Sequence, residues 1–144
     1  IRDLTNPEKK MSKSTMSENS KIMLSDEPAR AAKKIMSATT DSEGVIRFDM
    51  MNQPGISNLL NIYSAFTGRT VESIVKDYEG QGYGNFKKDL VEVMVTGLEP
   101  FQKKYAEIRN SEELKIILRD GAEKANAIAE KTMKRVKENF GVGF

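Results

Sequence analysis

The sequence predicts an all-α fold, a bundle of about five or six helices that follows a flexible polar loop. Apolar residues recur at spacings of three and four through most of residues 26–140, as on one face of a helix. Glycine and proline punctuate these stretches. The first part of the chain is instead polar and rich in Ser, Lys and Met. No repeat of fixed period is present, which favours a bundle over a solenoid.

The first helix is predicted to follow the polar leader. The apolar run at residues 22–24 is long enough for one short strand. Ser25 or Asp26 is the predicted N-cap of the helix, and Glu27 and Pro28 suit the dipole and the unpaired N–H groups of its first turn. The apolar stripe of this helix consists of Ala31, Ala32, Ile35 and Met36.

Two helices are predicted in the middle of the chain. Residues 39–44 (TTDSEG) read as a turn, and residues 45–50 are expected to be extended. Pro54 begins and Gly68 ends an amphipathic helix. Thr70 caps a shorter helix that ends before a glycine-rich stretch. The predicted core residues of the longer helix are Ile56, Leu59, Leu60, Tyr63 and Phe66.

The remaining residues predict three more helices. One starts near Asn85 and carries a kink near Pro100. Asn110 and Glu113 form a capping box for the next helix, which residues 120–121 (DG) are expected to end. The buried faces of the last two helices are predicted to hold Leu114, Ile117, Leu118, Ala122, Ala125, Ala129, Met133, Val136 and Phe140.

The composition excludes several classes of chemistry. The chain has neither cysteine nor histidine, so disulfides, thiolate metal sites, His-zinc sites and Ser-His or Cys-His catalysis are ruled out for these residues. A formal net charge of +2 means that any contact with nucleic acid must be local. No apolar run reaches the roughly 18 residues of a membrane span, so we expect a protein that does not enter membranes. The absence of cysteine fits a reducing interior, so the expected localisation is cytoplasmic.

The residues that carry chemistry lie in the polar leader, at residues 10–14 (KMSKS). The ammonium groups of Lys10 and Lys13 can close over a triphosphate, and the hydroxyls of Ser12 and Ser14 can donate to its oxygens. Negative charge grows on pyrophosphate as it departs, so a closing positive loop stabilises the transition state more than the ground state. The alternative is a solvated Lys/Ser-rich loop without a nucleotide role.

Other polar residues are interpreted as structural. Asp41 and Glu43 form a carboxylate pair that suits a metal or acid-base chemistry, but a capped turn is favoured. Asn58 and Asn61 are expected to bond backbone groups rather than a nucleotide. The sequence therefore predicts no metal-binding residues.

Four further blocks follow the loop in order: residues 40–44 (TDSEG), 54–64 (PGISNLLNIYS), 82–86 (GYGNF) and 121–126 (GAEKAN). Together with KMSKS they resemble the tryptophanyl-tRNA synthetase family of class I aminoacyl-tRNA synthetases, across nearly all of the chain. The related tyrosyl-tRNA synthetases generally carry a different loop variant and a differently built tail. The resemblance to the tryptophan enzymes is therefore the stronger one.

The resemblance implies two segments. Residues 1–24 would be the KMSKS loop and its junction to a nucleotide-binding fold, and residues 25–144 would be the C-terminal helical, anticodon-recognition domain. The Rossmann-type catalytic half, with its HIGH signature, is expected to be absent, since the chain has no histidine. We therefore expect a segment that begins mid-protein and is inactive alone.

The resemblance also implies an activity, that of a ligase which activates tryptophan with ATP and transfers it to tRNA(Trp). Lys10 and Lys13 would be catalytic, and Met11, Ser12 and Ser14 would complete the ATP-binding loop. Mg²⁺ would travel with ATP without a protein cage. The full-length enzyme would be a homodimer, and no residue is assigned to tRNA. The alternative functions are a free-standing helical RNA-binding module and a helical protein-interaction domain.

Overall fold

The fold is mainly helical, as predicted. A computed structural model describes residues 1–142. Within them lies no strand longer than an isolated antiparallel bridge between Arg2 and Lys10, so the strands allowed at residues 22–24 and 45–50 do not form. The described chain holds a short 3-10 helix, Glu18–Ser20, and the five helices α1 (Pro28–Met36), α2 (Pro54–Thr67), α3 (Val71–Asp77), α4 (Tyr83–Arg109) and α5 (Glu112–Phe140).

The chain divides into two compact units, Ile1–Gln102 and Lys103–Phe144. The first unit contains the polar leader, α1 to α3 and most of α4. The second contains the end of α4 and α5. The predicted boundary between residues 24 and 25 divides the chain by expected role, the ATP-binding loop before it and tRNA recognition after it, and not by packing. It stays a prediction.

The core of the first unit is built around α2. Its predicted apolar face is buried, and α4 supplies the facing side chains. Tyr63, Tyr78 and Phe86 form an aromatic cluster with ring centroids 5.1 to 6.2 Å apart. Burying an aliphatic or aromatic side chain of this size stabilises a fold by about 1.5–3 kcal/mol. The buried residues of the two helices include Ile56, Leu59, Leu60, Tyr63, Phe86, Leu90, Met94 and Leu98.

Local signals place the ends of α2 and α3 correctly. Pro54 is the first residue of α2, where its missing N–H costs nothing. Gly68 ends α2 in the left-handed region, with φ of 70°, and its N–H donates to the carbonyl of Ser64. The hydroxyl of Thr70 caps α3 by accepting from the N–H of Ser73 at 3.3 Å. These predictions are confirmed.

The predicted cap of α1 is wrong. The N-cap is Glu27, which makes no side-chain bond to the helix, and Pro28 is its first residue. The Asp26 carboxylate instead accepts from the backbone N–H of Met23 at 3.0 Å and from the Lys34 ammonium at 2.6 Å. A charged partner eight residues along the chain therefore takes the carboxylate that a cap would use.

Helix α4 continues through two residues that ordinarily weaken helices. It begins at Tyr83, slightly before the predicted start at Asn85, and contains Pro100. Gly97 has a packing role, since a Cβ at this position would lie 2.5 Å from a ring carbon of Phe66. The glycine therefore lets the Phe66 ring approach the helix.

The second unit differs most from the prediction. Ser111, not Asn110, caps α5 by accepting from the N–H of Leu114. The helix runs without a break through residues 120–121, and none of its residues is buried. Apart from Leu114, which is partly buried, the predicted inner face is exposed, with Leu118 at 63%. Periodicity identifies an apolar face, but not whether another element covers it.

No helix within residues 1–142 combines the length and the apolar character that crossing a bilayer requires.

Candidate functional site

The segment leading into the KMSKS loop is fixed to α2 by one asparagine. The N–H of Arg2 donates to Oδ1 of Asn58 at 2.7 Å, and Nδ2 of Asn58 donates to the Arg2 carbonyl at 2.9 Å. Asn58 is buried, so its amide satisfies both backbone groups away from water. The prediction that Asn58 bonds backbone is confirmed.

A short hairpin places Lys10 opposite Arg2, in the anchored segment. The N–H of Asp3 donates to the Lys9 carbonyl at 2.9 Å, and the N–H of Met11 donates to the Ile1 carbonyl at 3.3 Å. These two bonds flank the bridge between Arg2 and Lys10. The backbone of Lys10 is therefore fixed by the hairpin, while the residue is exposed to solvent.

The Asp3 carboxylate closes the turn of the hairpin. Its Oδ1 accepts from the N–H and the hydroxyl of Thr5, both at 2.8 Å, and from the N–H of Asn6 at 3.0 Å. Burial alone would raise the pKa of Asp3, but these hydrogen bonds outweigh it and hold the pKa below its usual value. The residue therefore stays ionised and keeps the turn closed at neutral pH.

The KMSKS residues place their charges outward. Lys10 and Lys13 are exposed, and neither forms an ion pair within the described part of the chain. Met11 is partly buried against the core of the first unit. The hydroxyls of Ser12 and Ser14 lie 3.1 Å apart. Two ammonium groups and two hydroxyls are thus available to an anion on a loop whose base is anchored.

A buried lysine lies behind the loop. Lys21 is 7% exposed, and its Nζ donates to the carbonyls of Lys13 at 2.9 Å and Thr15 at 2.7 Å. Its ammonium is also 3.8 Å from the carboxylate of Glu18. Lys21 is not identifiable from the sequence, because a lysine in a polar segment gives no sign of burial.

The far end of the loop returns to the same anchor. The N–H of Leu4 donates to the Ser20 carbonyl at 2.9 Å, and the N–H of Thr39 donates to the Leu4 carbonyl at 2.8 Å. Leu4 is 1% exposed and belongs to the core. Both ends of the loop are therefore tied to one buried segment.

Buried lysines also fix α1 beside the loop. Lys34, 1% exposed, pairs with Asp26, 7% exposed. Burial would raise the pKa of Asp26, but the Lys34 hydrogen bond and the Met23 N–H lower it overall. From α4, Lys87 donates to the carbonyls of Ala38 at 2.7 Å and Met36 at 3.4 Å, and burial lowers its pKa. These contacts, too, are not identifiable from the sequence.

The carboxylate pair in the TDSEG turn is structural, as expected. Oδ1 of Asp41 accepts from the N–H of Glu43 at 2.9 Å, from the Tyr83 hydroxyl at 2.6 Å and from Nε2 of Gln53 at 3.1 Å. Burial acts to raise the pKa of Asp41, and these donors lower it overall. Glu43 pairs with Arg47 at 2.8 Å. Within residues 1–142, no group of three or more acidic side chains is placed to hold a metal ion.

The chain is similar to proteins of one known family. The family described as tRNA synthetases class I (W and Y) matches residues 1–99. The tryptophan–tRNA ligases of Bacillus anthracis and Enterococcus faecalis are each 54% identical to the chain over 99% of its length, which is 43% of their own. A crystal structure of tryptophanyl-tRNA synthetase from Mycoplasma pneumoniae matches with a TM-score of 0.75 and 35% identity, covering 99% of this chain and 44% of that one.

The chain thus spans less than half the length of the relatives that it matches. The family match includes the anchored hairpin, the KMSKS loop, α1, α2 and α3. It covers well over half of the 144 residues. The chain therefore belongs to the class I tRNA synthetases of the tryptophan and tyrosine group.

Proposed function

We propose that the chain is the C-terminal region of a tryptophan–tRNA ligase, in which residues 10–14 bind ATP and assist the activation of tryptophan. The observation that carries the proposal is the loop itself, where Lys10 and Lys13 are exposed on a loop whose entry segment is fixed at Arg2 by Asn58. The relatives that match 99% of the chain are tryptophan–tRNA ligases, which supports tryptophan as the amino acid.

In the proposed first step, an oxygen of the tryptophan carboxylate attacks the α-phosphorus of ATP. The bond from that phosphorus to the bridging oxygen breaks, and pyrophosphate leaves with the electron pair. The ammonium groups of Lys10 and Lys13 neutralise the charge that grows on pyrophosphate. Ser12 and Ser14 orient phosphate oxygens, and the backbone at Met11 helps to hold the nucleotide. Mg²⁺ accompanies ATP, bound by phosphates and water.

In the second step, a hydroxyl of the 3′-terminal adenosine of tRNA(Trp) attacks the carbonyl carbon of the adenylate, and AMP leaves. We assign tRNA recognition to residues 25–144. Residues 101–144 contain ten Lys or Arg and seven Asp or Glu, which gives a modest local excess of positive charge. The proposed full-length protein is a cytoplasmic homodimer whose partners are ATP, tryptophan and tRNA(Trp).

Amino-acid-dependent exchange of pyrophosphate into ATP tests this function. The full-length polypeptide should catalyse exchange with tryptophan, and tyrosine should support it poorly. Purified tRNA(Trp) should then accept tryptophan. Exchange that depends on tyrosine, or no exchange with any amino acid, would contradict the proposal. The 144-residue chain alone should be inactive, since we assign tryptophan binding to the part of the ligase outside it.

A further inference from the structure

We infer that Lys21 is a positioning residue for the ATP-binding loop, acting through the backbone carbonyls that it holds. The inference rests on the proposed function and adds a residue that lies outside the KMSKS sequence. It concerns how the loop keeps the geometry from which Lys13 reaches the phosphates.

The ammonium group of Lys21 is buried behind the loop. Lysine is rarely buried unless its charge has partners, yet Lys21 is only 7% exposed. The partners that it finds are the carbonyl oxygens of Lys13 and Thr15, at 2.9 and 2.7 Å. Both distances are those of strong charge-assisted hydrogen bonds. The group is therefore committed to the loop backbone.

Little besides Lys21 holds the backbone from Ser12 to Thr15. The N–H of Thr15 donates to the Ser12 carbonyl at 3.4 Å, a long bond. Within residues 1–142, the N–H groups of Lys13 and Ser14 have no hydrogen-bond acceptor. Without Lys21, the backbone from Ser12 to Thr15 would keep one weak internal bond, and the Lys13 side chain would be carried by a loosely held segment.

The ion pair of Lys21 with Glu18 is weaker than its two carbonyl contacts. Glu18 is 3.8 Å from the Lys21 ammonium and also pairs with Arg30 at 3.2 Å. Its side chain is 56% exposed, so solvent screens both contacts. The ion pair is thus weak compared with the two carbonyl bonds, and the proposed role depends on the carbonyls.

The experiment compares Lys21→Met, Lys21→Arg and Glu18→Gln in the full-length polypeptide. Lys21→Met keeps a similar apolar stem and removes the donor. In tryptophan-dependent exchange, kcat/KM for ATP should therefore fall roughly tenfold to a hundredfold, the range for losing hydrogen bonds to a charged group. KM for tryptophan should stay within twofold. Lys21→Arg retains N–H donors and should recover most of the loss, and Glu18→Gln should resemble wild type.

The matched control is Lys88→Met, which removes one positive charge from an exposed position on α4. If Lys21→Met alters the ATP parameters no more than Lys88→Met does, or alters ATP and tryptophan equally, the positioning role is wrong. If Lys21→Met does not fold, Lys21→Arg and Lys21→Gln decide: Arg must retain ATP-dependent activity that Gln loses, and equal behaviour rejects the role.

Failure of the inference is distinguishable from failure of the proposed function. Wild-type protein that performs no tryptophan-dependent exchange refutes the function, and the role of Lys21 in that reaction falls with it. Wild-type exchange that Lys13→Ala slows and Lys21→Met leaves unchanged refutes the inference alone. Hydrogen exchange at Thr15, whose N–H donates to the Ser12 carbonyl, adds a readout independent of activity, and it should accelerate in Lys21→Met but not in Glu18→Gln.

Discussion

The buried ion pair between Asp26 and Lys34 predicts a large and specific loss of stability when it is broken. The two charged atoms are 2.6 Å apart, and their residues are 7% and 1% exposed. Asp26→Asn leaves the Lys34 ammonium buried without a countercharge. Removing one partner of such a pair costs about 3–5 kcal/mol, because the remaining charge has lost its solvation without compensation.

Urea unfolding of the 144-residue chain measures this cost. Near-ultraviolet circular dichroism from the Tyr63, Tyr78 and Phe86 cluster reports on the first unit. The double variant Asp26→Asn with Lys34→Met should recover much of the loss, because neither charge then remains buried. Arg30→Met is the control, since its pair with Glu18 is exposed and should be worth no more than about 1 kcal/mol.

An Asp26→Asn variant that loses no more stability than Arg30→Met would refute this reasoning. It would mean that water or a rearranged side chain solvates the Lys34 ammonium as well as the carboxylate does. A double variant no more stable than Asp26→Asn would also count against it, since the penalty would then come from packing rather than from an unpaired charge.

Two other predictions concern pH and helix packing. The folded-state pKa of Asp26 lies below its unfolded-state pKa. The stability that Asp26 contributes is therefore present above the unfolded-state pKa and is lost as pH falls through the folded-state pKa. With acid, the free energy of unfolding should fall less steeply in the Asp26→Asn and Lys34→Met double variant than in wild type. Gly97→Ala should cost about 1–3 kcal/mol, because the new methyl group meets the Phe66 ring. Gly84→Ala, also in α4 but with open space at its Cβ, should not destabilise, and equal unfolding midpoints for the two glycine variants would contradict the packing argument.

Features with local causes could be predicted from the sequence. Pro54 and Gly68 set the bounds of α2 through their own backbone preferences, and Thr70 caps α3 through a hydroxyl three residues from its donor. The packing of α2 followed from helical periodicity. Asp41 bonds the backbone of its own turn, as expected, because short polar side chains in turns usually bond nearby backbone. Asn58 also bonds backbone, as expected, but its partner Arg2 lies 56 residues away and is set by the fold.

Features decided by tertiary context could not be predicted. Asn110 and Ser111 are both competent caps, and only the backbone geometry selects Ser111. Gly121 costs a helix about 1 kcal/mol, too little to break α5. Lys21 and Lys34 look like solvated lysines in the sequence, and their burial depends on carbonyl and carboxylate partners that the fold assembles.

The residues of the candidate site could be predicted from the sequence, but not the contacts that hold them in place. The KMSKS residues were identified by the chemistry of ammonium and hydroxyl groups, and their role with ATP stays a prediction. Their attachment through Asn58, Asp3 and Lys21 is visible in the structure alone. A site on a flexible leader thus proves to be a loop with both ends fixed to the core of the first unit.

The central claim is that the Lys13 ammonium stabilises departing pyrophosphate, and single-turnover adenylate formation by Lys13→Ala in the full-length polypeptide tests it most directly. The rate should fall by an amount equivalent to about 2–4 kcal/mol of transition-state stabilisation, the range for removing one preorganised donor from a closed site. The dissociation constant for tryptophan should not change, and Lys88→Ala should behave as wild type. A Lys13→Ala enzyme that forms adenylate at the wild-type rate, or loses rate and tryptophan affinity equally, would contradict the claim.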